Sequence, residues 1–169
     1  MGSRLSAPKR ASVWTLTFGE QMKTTSAFLL FVAIPLVAIS GLETDIAQEN
    51  RVILKSAWMP TNEQTAKALK SIQVFLENPK NQDEWSANQI KQILANTSKY
   101  RVQFIGVIKN DHKLLHCNFF PVQSRGEFDY FKKWKEEEIF VCDGGFWFWQ
   151  IDYDIESGDC TNFSSNGEG

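Results

Sequence analysis

The spacing of apolar residues changes character along the chain. Ala27 to Ile39 is an unbroken apolar run of 13 residues, interrupted by no charge. Ala66, Leu69, Ile72, Phe75 and Leu76 then recur at steps of three and four, which is the helical period. Thr61 precedes them with Gln64 three residues on, as in a capping box, so a helix is expected from about 62 to 77, before Asn78-Pro79. Gln82-Asp83-Glu84 opens a second helix with acids in its first turn, where the macrodipole favours them. Its stripe is Trp85, Ile90, Ile93 and Leu94, and it should end near Asn96-Thr97. Residues 42–58 fit either a helical stripe (Leu42, Ile46, Ile53, Ala57) or a short strand at Val52-Ile53-Leu54.

Beyond residue 100 the pattern is that of strands. Arg101–Ile108 and Leu114–Phe120 flank the turn Asn110-Asp111-His112-Lys113 and read as a hairpin. Phe128, Phe131 and Trp134 at three-residue spacing suggest a short helical crossover over 126–137. Ile139–Cys142 is expected as a third strand, ended by Asp143-Gly144-Gly145. Phe146–Asp154 is a fourth, with Trp147, Trp149, Ile151 and Tyr153 on one face. Cys160–Phe163 is a fifth, after the turn Glu156-Ser157-Gly158-Asp159. Helices followed by sequential strands predict an α+β fold, with N-terminal helices packed on one face of a mostly antiparallel sheet of about five strands. A cystatin-like or nuclear-transport-factor-like curved sheet over a helix is the architecture to look for, an analogy of fold that carries no function. Residues 41–169 form one expected domain of this kind, behind a leader over 1–40.

The leader bears on location. Lys23 lies before the apolar core 27–39, and small residues, Ala38 and Ser40, follow at signal-peptidase positions. The run is shorter than the roughly 20 residues of a membrane span, so a cleaved signal peptide is expected. Export to a bacterial periplasm or the exterior follows. The alternative is an uncleaved segment, 25–42, anchoring the chain in the inner membrane. Met22 is an expected translation start, because Gly19-Glu20 can be encoded by a purine run resembling a ribosome-binding site.

Charge narrows the partners. The whole chain carries −2, and residues 41–169, with 14 basic against 19 acidic side chains, carry −5. An acidic domain repels phosphate backbones, so nucleic acid is not expected as a partner, and a membrane only if 25–42 stays uncleaved. In an oxidising compartment the three cysteines allow one disulfide, Cys117–Cys142 first and Cys142–Cys160 second, or three reduced thiols.

Catalytic signals are sparse. There is no nucleophile elbow, P-loop, dinucleotide fingerprint or zinc spacing, so no catalytic residue, metal or cofactor is assigned. His116 and Cys117 are adjacent on a strand and point to opposite faces, which disfavours a nucleophile–base pair. The run Asp152-x-Asp154-x-Glu156 fails as an EF-hand loop, with Ser157 where Gly is required and Phe163 where Glu is required. Thirteen of the 22 aromatic residues lie between Phe119 and Phe163. Trp147, Trp149 and Tyr153 are expected in the core. Phe146 and Phe148 then face the other side, either beneath the 126–137 helix with Phe128 and Trp134 or as part of a recognition surface. The candidate binding residues are Phe146, Phe148, Gln150 and Asp152. The expected role is a binding or interaction module for a protein or small-molecule partner. The rival is a small hydrolase-like enzyme with a pocket on the sheet, where Asp143, Asp152, His116 and Tyr153 would meet. A third reading is a membrane-tethered accessory protein.

Overall fold

Thr61 starts the long helix α2 (Asn62–Glu77) as its sequence predicts: its Oγ1 accepts from the Gln64 amide, and the Gln64 Oε1 accepts from the Thr61 amide at 2.8 Å. These two bonds satisfy donors that a helix start otherwise leaves open. Asp83 caps α3 (Glu84–Leu94) through the Ser86 amide, 2.7 Å away. The computed structural model describes residues 40–122 and 130–167. The leader over 1–39 and residues 126–129 of the expected crossover lie outside the described residues. Among the described residues no helix is long and apolar enough to cross a membrane.

Residues 42–58 resolve into both readings of their pattern. Leu42–Asp45 forms one turn of helix, α1, and Arg51–Leu54 forms strand β1. Arg51 ties the two together by donating to the carbonyls of Glu43 and Ile46 at the open end of α1. Four further strands follow: β2 (Tyr100–Lys109), β3 (His112–Pro121), β4 (Trp149–Asp154) and β5 (Cys160–Ser165). The sheet order is β1-β2-β3-β4-β5. β1 runs parallel to β2, and every later pair is antiparallel. The fold is α+β, with a mixed five-stranded open sheet. The β2–β3 hairpin turns on Asn110 and Asp111, both at positive φ (50° and 63°), as a two-residue primed turn requires.

All three helices cover one face of the sheet. Leu42 and Ile46, then Ala68, Leu69, Ile72 and Leu76 of α2, and Ile90 and Ile93 of α3 share one buried cluster with Val102, Phe104, Leu115, Cys117, Phe119, Trp149, Ile151 and Tyr153. The alternation of β4 is thus observed, with Trp149, Ile151 and Tyr153 inward and Trp147 packed at the cluster's margin. Phe119 and Trp149 stack at 3.7 Å between centroids. Trp85, expected in the α3 stripe, is instead exposed, and Gln89 takes the buried position.

Among the described residues two expected elements are not seen. Ile139–Cys142 is not a strand, and β1 supplies the fifth strand in its place. Residues 130–136 form turns rather than a helix. The segment from Trp134 to Asp143 lies on the outer face and is held by side-chain amides in place of a ladder. Gln103 Nε2 donates to the carbonyls of Trp134 and Glu137, and its Oε1 accepts from the Ile139 amide at 2.9 Å. Asn118 Nδ2 donates to the Ile139 carbonyl at 2.7 Å, and Asn166 Nδ2 to those of Val141 and Asp143.

The disulfide expectation is corrected for the same reason. Cys117 is fully buried on the helix-covered face, whereas Cys142 is exposed beyond the segment held against the outer face, so the sheet stands between them. Cys160 pairs with Tyr153 and shares the inner face with Cys117, two strands away. The second expected pair, Cys142–Cys160, is not formed either, because Asn166 holds Val141 and Asp143 past the C-terminal end of β5 while Cys160 opens that strand, and all three thiols are free.

Candidate functional site

The outer face of the sheet has two halves. One half carries Gln103, Asn118, Phe120 and Phe148 and is covered by the 130–142 segment, with Phe131 against both Phe120 and Phe148. The other half is open and carries His116, Gln150, Asp152 and Thr161. These positions share a face because cross-strand partners do: His116 pairs with Asp152, and Asp152 with Thr161.

Asp152 is the centre of this open half. Its Oδ1 lies 2.7 Å from His116 Nδ1, and its Oδ2 accepts from Asn162 Nδ2 at 2.8 Å. A carboxylate only accepts, so a neutral His116 carries its proton on Nδ1 and keeps a lone pair on Nε2. Asn162 reaches back because β5 bulges there. The register slips between Gln150 and Asp152, and Asn162 sits at φ 53°. A bulge places two residues opposite one and re-aims their side chains. Burial works against the Asp152 charge, but the His116 and Asn162 hydrogen bonds, with the His116 and Lys109 charges, hold its carboxyl below the usual range. The side chains remain reachable, His116 at 22% and Asp152 at 15% of full exposure.

Around this triplet the surface is mixed. Gln150 Nε2 donates to Ser164 Oγ at 3.1 Å, and the exposed Gln150 leaves its Oε1 toward solvent. Half-buried Ile105 and Leu114 adjoin from β2 and β3, paired with His116 and Asp154 respectively.

Of the residues the sequence proposes, Phe148, Gln150 and Asp152 form a row on this face. Phe146 does not join them. It lies in a 3₁₀ turn (Gly145–Trp147) that breaks the alternation, with its ring 4.7 Å from Trp147 and its flank against the core. Gly144 makes that turn possible at φ 98°, where a Cβ would strike the Phe148 ring. Of the four residues of the rival enzymatic reading, His116 and Asp152 meet. Tyr153 is buried on the opposite face, and Asp143 is exposed beside Gly167. Asp154, expected with the acidic run, turns away. Its Oδ1 accepts from the Glu156 and Ser157 amides and shapes the β4–β5 turn, bonds that also lower its pKa. Among the described residues no three His, Cys, Asp or Glu side chains converge as a metal site would require.

The sequence reading brings His116 to Asp152 only in the rival enzymatic pocket and leaves it out of the candidate binding residues, and it misses Asn162 altogether. No family model matches this chain, and neither a curated protein nor a solved structure matches it.

Proposed function

We propose that this chain is an exported binding module, and that it takes a hydroxyl-rich ligand such as a saccharide on the open half of its outer sheet face. The observation that supports the reading is the row His116–Asp152–Asn162. It holds planar polar side chains in fixed orientations on an accessible surface. Pre-oriented polar groups lower the ordering cost of binding. With His116 neutral, the outward groups His116 Nε2 and Gln150 Oε1 are acceptors, which suits a ligand that donates. Ile105 and Leu114 supply an apolar margin for its carbon face. The acidic balance of residues 41–169 favours a neutral or cationic ligand over an anionic one.

The test is NMR titration of the full chain, uniformly 15N-labelled, with glucose, N-acetylglucosamine, glucosamine, maltose and chitotriose. At least one sugar should shift the His116 ring and Gln150 side-chain signals saturably, and His116→Ala and Asp152→Ala should abolish the shift. If none of the five moves those signals, the reading is wrong.

One observation favours the rival reading of a hydrolase-like enzyme. A histidine whose Nδ1 is held by an anchored carboxylate is the base half of a nucleophile–base system. No hydroxyl or thiol among the described residues hydrogen-bonds to His116, so water would have to be the nucleophile. The same His116→Ala variant serves this reading through loss of turnover.

A further inference from the structure

β5 is the last strand of the sheet, and half of the amides and carbonyls of such a strand point away from it. The C-terminal end of this edge is already covered. Asp143 bridges to Gly167, and the Gly145 amide donates to the Gly167 carbonyl at 3.0 Å. The N-terminal end, Cys160–Thr161, pairs with no further strand among the described residues. It does not face open solvent either. Helix α2 runs alongside, with Phe75 6.2 Å from Phe163 across the join. Together they frame a groove of about 600 Å³, with Lys70, Val74 and Phe75 on the helix wall and Asp159, Cys160 and Thr161 on the strand wall.

The two walls ask for one kind of occupant. The strand wall offers main-chain donors and acceptors, which another extended main chain matches best. The helix wall offers Val74, 67% exposed, and half-buried Phe75, which suit an apolar side chain. The Cys160 thiol adds to this apolar lining, since burial keeps it protonated. Lys70 and Asp159 stand on opposite walls with opposite charge. The bulge at Asn162 limits the pairable edge, so affinity must come from both walls.

We infer that this groove binds an extended peptide of a partner protein, which adds as a sixth strand beside Cys160–Thr161 and places an apolar side chain against Val74 and Phe75. Thr161 borders both this groove and the outer-face row, but the groove opens on the helix-covered side, to which Cys160 and Phe75 belong.

The probe is a library of random dodecapeptides displayed on phage and selected against the full chain. Enriched peptides, made synthetically, should bind and slow amide hydrogen exchange at Cys160 and Thr161. Val74→Lys, at an exposed position, should weaken them by about tenfold or more. Methylating alternate peptide amides should do the same, because it removes main-chain donors and leaves the side chains unchanged. Gln150→Arg, which blocks the outer face, should change affinity by less than about twofold. Failure to enrich any peptide overturns the inference. So does binding that survives amide methylation, and so does binding lost in Gln150→Arg but kept in Val74→Lys. None of these outcomes depends on whether a sugar binds the outer face.

Discussion

Gln103 and Asn118 are direct cross-strand partners, and Asn118 Nδ2 donates to Gln103 Oε1 at 3.1 Å in the buried part of the outer face. Two side-chain amides therefore replace the backbone ladder that would otherwise anchor residues 134–139. Gln103 is fully buried, and all the partners of its amide are protein groups: two carbonyls, one main-chain amide and the Asn118 side chain. Buried polar groups of this kind are costly when incompletely paired and specifying when complete.

Replacing Gln103 by Leu should therefore do more than remove one side chain. The Trp134 and Glu137 carbonyls and the Ile139 amide lose their partner together. The expected loss of stability is about 3 kcal/mol, read from urea denaturation. The Ile139 amide should exchange much faster in the variant while the Val102 amide is unchanged. Equal exchange at Ile139 in both proteins would show that the amide cluster does not hold the segment.

Asp152 gives the fold a definite pH dependence. Its carboxyl is lowered in the folded state, so ionisation there is linked to folding. The stabilisation is complete above the ordinary carboxylate value of about 3.9 and is lost as pH falls through the lower folded value. Asp152→Asn should be less stable than the parent at pH 6, and the gap should narrow below about pH 4. Urea midpoints from pH 2 to 6 test this. A gap that stays constant with pH would rule out the linkage.

Gly106 is required by the approach of Trp58. A Cβ on Gly106 would sit 2.1 Å from the Trp58 carbonyl oxygen and 2.9 Å from its indole. The Trp58 Nε1 donates to the Val107 carbonyl at 3.0 Å, and Ser56 Oγ accepts from the Gly106 amide at 2.9 Å, so the segment cannot slide aside freely. Gly106→Ala should cost about 2–3 kcal/mol, as overpacking does. It should also red-shift tryptophan emission as Trp58 is pushed outward. An unchanged melting temperature would mean that the segment relaxes without loss.

The thiols should react in a fixed order. Cys142 is exposed, Cys160 is half-buried with its pKa pushed up to about 12 by burial and by Asp159, and Cys117 is fully buried, which raises its thiol well above the ordinary value. Reactivity follows the thiolate and its access. One thiol should react with Ellman's reagent in native buffer, and Cys142→Ser should remove that fast phase. All three should react in denaturant. A protein with no fast thiol and a mass lower by two hydrogens would point to a disulfide formed by Cys142.

The parts of the fold legible in the sequence are those set by local chemistry. Thr61 and Gln64 mark the start of α2 because capping is decided within one turn, and β4 shows its buried face by plain alternation. Ile139–Cys142 misleads because it has strand composition, yet Phe140 is 85% exposed. The segment's conformation is dictated by Gln103, Asn118 and Asn166, polar residues on distant strands. Gln150 and Asp152 are readable as an outward row for the same reason that Trp149 and Ile151 are readable as core. His116 is brought to Asp152 only in the enzymatic reading and not in the binding row, because their pairing depends on the β3–β4 register, set across a connection longer than any turn rule covers. Asn162 depends on a bulge that no residue pattern announces.

The parallel pairing of Arg51–Leu54 with Val102–Ile105 has a consequence for how the molecule assembles. β2 to β5 follow one another in space as they do along the chain, so their meander closes mostly by short-range steps. β1 instead needs a crossover that contains both α2 and α3, and non-local closure is slow. During synthesis β1 emerges from the ribosome first among the strands, yet its partner is made only after both helices. Among the described strands Arg51–Leu54 therefore waits longest for its partner to be made, because the whole of α2 and α3 is synthesised in between.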